Sequence, residues 1–211
     1  MEQIMIAMAK GRTANKAMKI LARAGINFAD YCDESRKLTF NDESGMIKML
    51  NVKAVDVPTY VEKGATDIGV IGKDVLLESP CDVYELADLG IGRCKVVVAG
   101  FPHKRLRDIA SLTIATKYPN IAKQFFSRRG VRADIIPLNG SIELAPLIGL
   151  ADVIVDIVET GTTLKENGLV ILEEIADVSA RLIVNKASYA MKTERLQELI
   201  EAVKAEAEVL A

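Results

Sequence analysis

The chain has 211 residues, 50% of them apolar and 27% charged, with a formal net charge of -2, and that length suits one large domain or two small ones. Both signs of charge are interspersed, so there is no basic surplus for nucleic acid, and an anionic ligand has to be held by local donors. No apolar run reaches the ~18 residues of a membrane span, and Met1-Glu-Gln-Ile-Met-Ile-Ala-Met-Ala-Lys10 lacks the basic start and long apolar core of a signal peptide, so a cytoplasmic protein with no membrane partner is expected.

Residues 3–9 read as a first buried strand. Over 13–24, Ala14, Ala17, Met18 and Leu21 recur at helical spacing, and Gly25 ends the helix. Residues 38–40 and 46–52 resemble a short antiparallel pair around Asn41-Asp-Glu-Ser-Gly45. Asp56-Val-Pro58 has the form of a helix start, with Asp as N-cap and Pro in the first turn, and Gly64 stops that helix. A strand follows at 67–71, a short helix opens at Gly72-Lys-Asp74, and strands return at 83–86 and 94–99.

After a polar break at 102–108 the alternation resumes. Strands are predicted at 112–115, 133–137 and 152–158, and helices at 119–129, 141–147 and 162–167. Two more strands follow at 170–175 and 182–184. From Lys192 an amphipathic helix sets Leu196, Leu199, Ile200, Val203 and Leu210 on one stripe. Two runs of alternating strands and helices predict an α/β protein of two lobes with a cleft between them. The tail helix is not needed by the second lobe and is expected to return to the first. Lobe I is then 1–92 plus 180–211 and lobe II is 93–179, with crossings near 88–95 and 177–184.

The segment from Asp152 to Leu164, Asp-Val-Ile-Val-Asp-Ile-Val-Glu-Thr-Gly-Thr-Thr-Leu, carries the strongest chemical signal. A β-branched run reads as a buried parallel strand, and a Thr- and Gly-rich loop leads into a helix. A helix start offers unpaired N–H groups and a partial positive charge to a phosphate. Thr160, Thr162 and Thr163 add hydroxyls, and Gly161 admits close approach of the backbone. Asp156 lies toward the strand's carboxyl end, where open α/β sheets bind ligands. A carboxylate there can hold ribose hydroxyls while the loop holds a ribose 5-phosphate. From this segment alone, an ordinary strand–turn–helix with a Thr cap reads the same way.

Other strand-end loops carry a base, an acid or an aromatic beside small residues. Lys10-Gly11-Arg12 joins the first strand to the first helix, and a guanidinium there can grip a phosphate through two bonds. Ser35-Arg36-Lys37 precedes a strand in a polar loop. Gly72-Lys-Asp74 turns from strand to helix. At Ala115-Thr-Lys-Tyr118-Pro119 a tyrosine can stack on a base or pack in the core. Asn139-Gly-Ser141-Ile-Glu143 has capping character. Three distant cysteines, Cys32, Cys81 and Cys94, form no metal spacing. The one histidine, His103, falls in a polar turn, which sets aside Ser-His and Cys-His hydrolases and multi-histidine metal sites.

Lys10-Gly11-Arg12, Ser35-Arg36-Lys37-Leu38, Asp56-Val-Pro-Thr-Tyr-Val61, Gly92-Arg-Cys94, Ala115-Thr-Lys-Tyr-Pro119, Glu143-Leu-Ala-Pro146 and the run 152–164 occur in one order. Together they resemble the ATP phosphoribosyltransferase family, which catalyses the first step of histidine biosynthesis. The resemblance spans about residue 4 to about residue 190. It implies the two-lobed fold of type II periplasmic binding proteins. The implied reaction joins N1 of ATP to C1 of the ribose of phosphoribosyl pyrophosphate, a pentosyl transfer that yields phosphoribosyl-ATP and pyrophosphate.

By position the resemblance gives Asp156 the ribose hydroxyls and Glu159, Thr160, Gly161, Thr162 and Thr163 the 5-phosphate. Arg12 and Arg36 neutralise phosphates during transfer. Lys10, Gly11, Gly72, Asp74, Val75 and Tyr118 serve ATP, the last four by placing the adenine. Mg²⁺ arrives with the substrates, and no residue is assigned as a protein metal ligand. The chain's length resembles the family's short form. That form implies homo-oligomers inside a hetero-oligomer with a regulatory subunit similar to histidyl-tRNA synthetase. Thr13 replaces the Leu or Ile that commonly follows Lys-Gly-Arg. Lys53 stands where an Arg is common, which bears on the leaving-group contact.

Two other classes fit parts of the pattern. A periplasmic-type binding module shares the fold but not the expected phosphate loop. A salvage phosphoribosyltransferase shares the Thr-Gly loop but has adjacent acids, whereas Asp152 and Asp156 are separated by three residues.

Overall fold

The computed structural model describes residues 3–32, 35–104, 106 and 111–210, excluding the side chains of Arg12 and Leu210. The Arg12 guanidinium, the Leu210 member of the tail stripe, and much of the 102–108 break therefore lie outside the described set. Contacts divide the chain into two compact units. One comprises Met1–Leu76, Pro80–Arg93 and Ser179–Ala211, and the other Leu77–Ser79 and Cys94–Val178.

The first unit is built on β1 (Ile4–Ala9), β2 (Thr39–Asn41), β3 (Ile47–Val52), β4 (Ile68–Gly72), β5 (Tyr84–Asp88) and β11 (Ala180–Val184). Their order across the sheet is β2-β3-β1-β4-β11-β5. β1 runs parallel to β3 and β4, while β2 and β11 are antiparallel to their neighbours. Helices α1 (Arg12–Arg23) and α8 (Thr193–Leu210) accompany one face. There Ala14, Ala17, Ile20 and Leu21 share a core with Ile6, Met8 and Met49 and with Leu196, Leu199, Ile200 and Val203. Burying each large aliphatic side chain contributes about 1.5–3 kcal/mol, so this stripe explains why the tail belongs here. Helix α2 (Val57–Glu62) covers the other face, with Val57 and Val61 joined to Ala7, Ile71 and Ile183.

The second unit has β6 (Cys94–Gly100), β7 (Ser111–Thr116), β8 (Arg132–Pro137), β9 (Val153–Val158) and β10 (Val170–Val178) in the order β10-β6-β9-β7-β8. Helices α4 (Pro119–Ser127), α5 (Leu144–Leu147) and α6 (Thr162–Glu166) follow their strands. One apolar cluster includes Phe126, Ile121 and Leu112, and another includes Ile154, Leu164 and Leu169. Helix α3 (Lys73–Glu78) begins in the first unit, and its last turn belongs to the second. There the Glu78 carboxylate accepts the N–H groups of Asn120 at 2.9 Å and Ile121 at 3.0 Å, capping α4 from outside.

Several local expectations change. β9 is parallel to β7 but antiparallel to β6, so the β-branched run is not a strand of an all-parallel sheet. Helix α2 does start after Asp56 with Pro58 in its first turn, as expected, but a 3-10 turn, Ala54–Asp56, precedes it and the Asp56 side chain makes no cap bond. The expected cap at 139–143 is also absent: Ser141 takes a positive φ of 50°, Glu143 makes no side-chain cap bond, and α5 shrinks to four residues. The tail helix from Lys192 is α8, as expected, and a short helix not expected from the sequence precedes it. The earlier one, α7 (Lys186–Met191), starts where Asn185 Oδ1 accepts the Ser188 N–H at 2.8 Å. That Asn-x-x-Ser start is a cap signal visible in the sequence. β10 continues to Val178 through two register shifts.

Asp152 shows how the start of β9 is held. Its carboxylate accepts from Lys104 Nζ at 2.7 Å and from the Thr113 N–H at 2.9 Å. The Lys104 bond first, then the Thr113 N–H, keep its pKa below the ordinary carboxylate value. A folded pKa below the unfolded one adds stability above the unfolded value of about 3.9 and loses it as pH falls through the folded value. Asp152→Asn is therefore less stable than the natural chain at pH 7. In acid unfolding the gap should close as pH drops below about 4. An undiminished gap under strong acid would show that the carboxylate charge is not what stabilises this joint.

Candidate functional site

The 152–164 segment folds as strand, loop and helix. Val153, Ile154 and Val155 are buried between β6 and β7. The Thr116 hydroxyl donates to Val155 O at 2.6 Å and accepts the Tyr118 N–H at 2.8 Å, so the end of β7 braces the middle of β9. Beyond Val155 the strand emerges. Asp156 is half-buried, Ile157 is exposed, and Asp156 Oδ1 accepts the Ile157 N–H at 2.8 Å. Glu159, Thr160, Thr162 and Thr163 are exposed in sequence order along the loop.

Gly161 makes this turn possible. It adopts φ 74° and ψ 4° as the N-cap of α6, a left-handed conformation that strains residues with a Cβ. The Thr160 and Thr162 hydroxyl oxygens lie 3.0 Å apart. Gly161 supplies no side-chain cap to α6; the Thr160 hydroxyl reaches only the Thr162 N–H, at 3.5 Å, so the first turn presents further N–H groups beside three hydroxyls. Such an array suits the oxygens of a phosphate monoester, while Asp156 and Glu159 are acceptors for sugar hydroxyls. Asp152 is occupied at the opposite end of β9 by Lys104 and Thr113, so it does not form an acidic pair with Asp156.

In the first unit, parallel β1, β3 and β4 end on the same side, the usual ligand side of such sheets. Lys10 and Gly11 follow β1. Gly11 takes φ 113° as the N-cap of α1 and leaves that helix without a side-chain cap. Lys10 Nζ donates to Ser35 O at 2.7 Å, which brings the Arg36 loop to the end of β1. Arg36 is exposed. Gly72 closes β4, and a Cβ there would collide with Asp74 Oδ1, so the carboxylate lies directly against the glycine. Val75 is half-buried one residue on. A Cβ on Gly92 would meet the Thr13 hydroxyl at 3.2 Å. The Gly92 turn therefore lies against the first turn of α1, a contact between residues too far apart in sequence for local patterns to reveal.

Tyr118 does not join this set. Its side chain is 3% exposed within the apolar cluster of Phe126, Ile121 and Leu112, so stacking on a base would require opening the core. Packing is the reading of this tyrosine that the fold bears out. His103 stacks on Phe101 with centroids 5.8 Å apart. Cys32, Cys81 and Cys94 form no disulfide.

Open helix starts and hydroxyl donors at the ends of sheet strands define an α/β protein of the phosphate-ester-binding class. The chain belongs to the ATP phosphoribosyltransferase family, whose model, described as HisG: ATP phosphoribosyltransferase, matches residues 53–205. It is 52% identical over 200 residues to an ATP phosphoribosyltransferase of Oceanobacillus iheyensis, covering 95% of this chain and 96% of that protein. It is 54% identical over 195 residues to one from a Geobacillus species, covering 92% and 94%. Among solved structures, the ATP phosphoribosyl transferase (HisG:HisZ) complex from Thermotoga maritima matches with a TM-score of 0.86 and 36% identity, over 98% of this chain and 99% of that one. The architecture is the α/β, periplasmic-binding-protein-like type II fold.

Proposed function

We propose that this protein is an ATP phosphoribosyltransferase. It joins N1 of ATP to C1 of the ribose of phosphoribosyl pyrophosphate and releases pyrophosphate, the first step of histidine biosynthesis. The observation that carries the reading is identity above 50% to ATP phosphoribosyltransferases over almost the whole chain. The exposed Thr-Gly loop after β9 supplies the matching chemistry.

In the transfer, the N1 lone pair forms the new bond as the C1–O bond breaks, and that bond's electrons leave with pyrophosphate. Adenine N1 already carries a free lone pair, so the step needs no protein base. Asp156 is assigned the ribose hydroxyls, and Glu159 through Thr163 the 5-phosphate. Such contacts hold C1 in line with its nucleophile. Arg12 and Arg36 are assigned to the charge that grows on the departing group. Lys10, Gly11, Gly72, Asp74 and Val75 are assigned to ATP. Mg²⁺ bound to the substrates neutralises their phosphates. Such an ion is held largely by phosphates and water and needs no all-protein cage. Among the described residues no three His, Cys, Asp or Glu gather as a metal site.

The likeness to the HisG:HisZ complex supports a regulatory partner resembling histidyl-tRNA synthetase, with this chain a homo-oligomer inside the larger assembly. Use of ATP and phosphoribosyl pyrophosphate supports a cytoplasmic enzyme. Among the described residues no helix is long and apolar enough to cross a membrane. The test is phosphoribosyl-ATP formation by the chain alone and with that partner, at rising histidine. Product should form from ATP and not from free bases. Histidine inhibition should strengthen on adding the partner, through a coupling of about 1–3 kcal/mol. Product from free bases but not from ATP would assign the chain to salvage chemistry, and tight histidine inhibition of the isolated chain would remove the partner's sensing role.

A further inference from the structure

Asn51 is the unexplained polar group of the first unit. It is only 6% exposed, and among the described residues neither Nδ2 nor Oδ1 meets a hydrogen-bond partner. A buried amide left in that state is costly, because water no longer satisfies it and the protein does not. Its backbone is ordinary: the N–H donates to Leu38 O at 2.8 Å in the β2–β3 connection.

Its placement says what the amide faces. Along β3, Ile47, Met49 and Asn51 alternate onto the buried face, the face that shares a core with α1. Across the sheet Asn51 is in register with Met8 of β1. Three residues beyond Met8 is Gly11, where the chain turns back and α1 starts over that same face with no side-chain cap. The amide therefore lies beneath the first turn of a twelve-residue helix, at its positive end.

Three cations lie near it in sequence, with acids close by at Asp33, Glu34 and Asp56. Lys10 is two residues beyond the Met8 pair, Lys53 is two residues beyond Asn51, and Arg36 is two residues before Leu38. Among the described residues none of these three cations is paired with a carboxylate. Among the described residues Lys10 donates to the Ser35 carbonyl. An open helix start, three cations and a buried donor together suit a group with several anionic oxygens.

We propose that the Asn51 side chain is a buried hydrogen-bond donor for a polyphosphate, the diphosphate of phosphoribosyl pyrophosphate or the triphosphate of ATP, seated at the start of α1. Nδ2 donates to a phosphate oxygen, and Oδ1 accepts from a cation that follows the anion inward. The identity of the polyphosphate rests on the assigned reaction, whereas the presence of an anion seat rests on the local geometry.

Asn51→Leu tests this, because it keeps the branched shape and removes the orphaned amide. Calorimetric titration of the full chain with magnesium pyrophosphate and with magnesium ATP should show about tenfold or greater weakening for at least one of them. The thermal midpoint should stay equal or rise. Asn51→Asp, of the same shape but negative, should weaken the same ligand further. Loss confined to pyrophosphate identifies the diphosphate, and loss confined to ATP the triphosphate. Unchanged affinity for both would overturn the proposal. So would a markedly lowered midpoint in Asn51→Leu, which would show that the amide is structural. A natural chain that binds both polyphosphates but forms no phosphoribosyl-ATP would count against the assigned reaction alone.

Discussion

Asp156→Asn and Thr163→Val are each expected to lower kcat/KM for phosphoribosyl pyrophosphate by about 10- to 150-fold while the protein stays folded. A hydrogen bond to a charged group contributes about 1.5–3 kcal/mol, and 1.4 kcal/mol is about tenfold. Both side chains lie beyond the buried stretch of β9. Val153, Ile154 and Val155 pack fully, whereas Asp156 is half-buried and Thr163 is exposed in the first turn of α6. Neither change opens a cavity, so stability should move by less than about 1 kcal/mol. Asp156→Asn keeps the shape of the side chain and removes its charge, and Thr163→Val replaces the hydroxyl with a methyl. Steady-state kinetics with thermal melts separate the two effects. Unchanged kcat/KM in both variants would take the loop out of the substrate site.

The largest loss of stability is expected for Asp67→Ala, about 3–5 kcal/mol. The Asp67 side chain is 6% exposed and that of Lys192 15%, with Nζ 3.0 Å from Oδ1 and 3.2 Å from Oδ2. Oδ2 also accepts the Met5 N–H at 2.8 Å, and the Asp67 carbonyl accepts the Asn185 N–H at 2.9 Å. This residue therefore joins the starts of β1 and β4 to the junction between α7 and α8. Removing the carboxylate takes a buried acceptor from the ammonium and leaves the Met5 N–H unsatisfied. The denaturant midpoint should fall with little change in slope. Asp67→Ala combined with Lys192→Met should recover part of the loss, because the ammonium that lost its carboxylate is gone. A single variant as stable as the natural chain would show that the pair contributes nothing net.

The order of strands and helices, the phosphate-type loop and the tail stripe were legible in the residues. Each rests on local chemistry: β-branched runs for strands, a Thr-Gly loop before a helix, and Leu196, Leu199, Ile200 and Val203 at helical spacing. The resemblance to a family added the reaction, which no local pattern specifies. Short or weakly patterned elements were less legible. The four-residue α5 and the short α7 depend on backbone geometry at Ser141 and Asn185.

Only the tertiary structure decided relations between distant residues. A strand's own sequence does not state its neighbours' directions, so β9 gave no sign of its antiparallel partner β6. Asp67 and Lys192 are 125 positions apart, and nothing near either one names the other. Tyr118 was open to stacking or packing until the cluster around Phe126 took its ring. Asn51 reads as an ordinary polar residue between Leu50 and Val52. Alternation along β3 and the return of α1 over that face bury it, because side-chain direction is local while the surface that covers it is not.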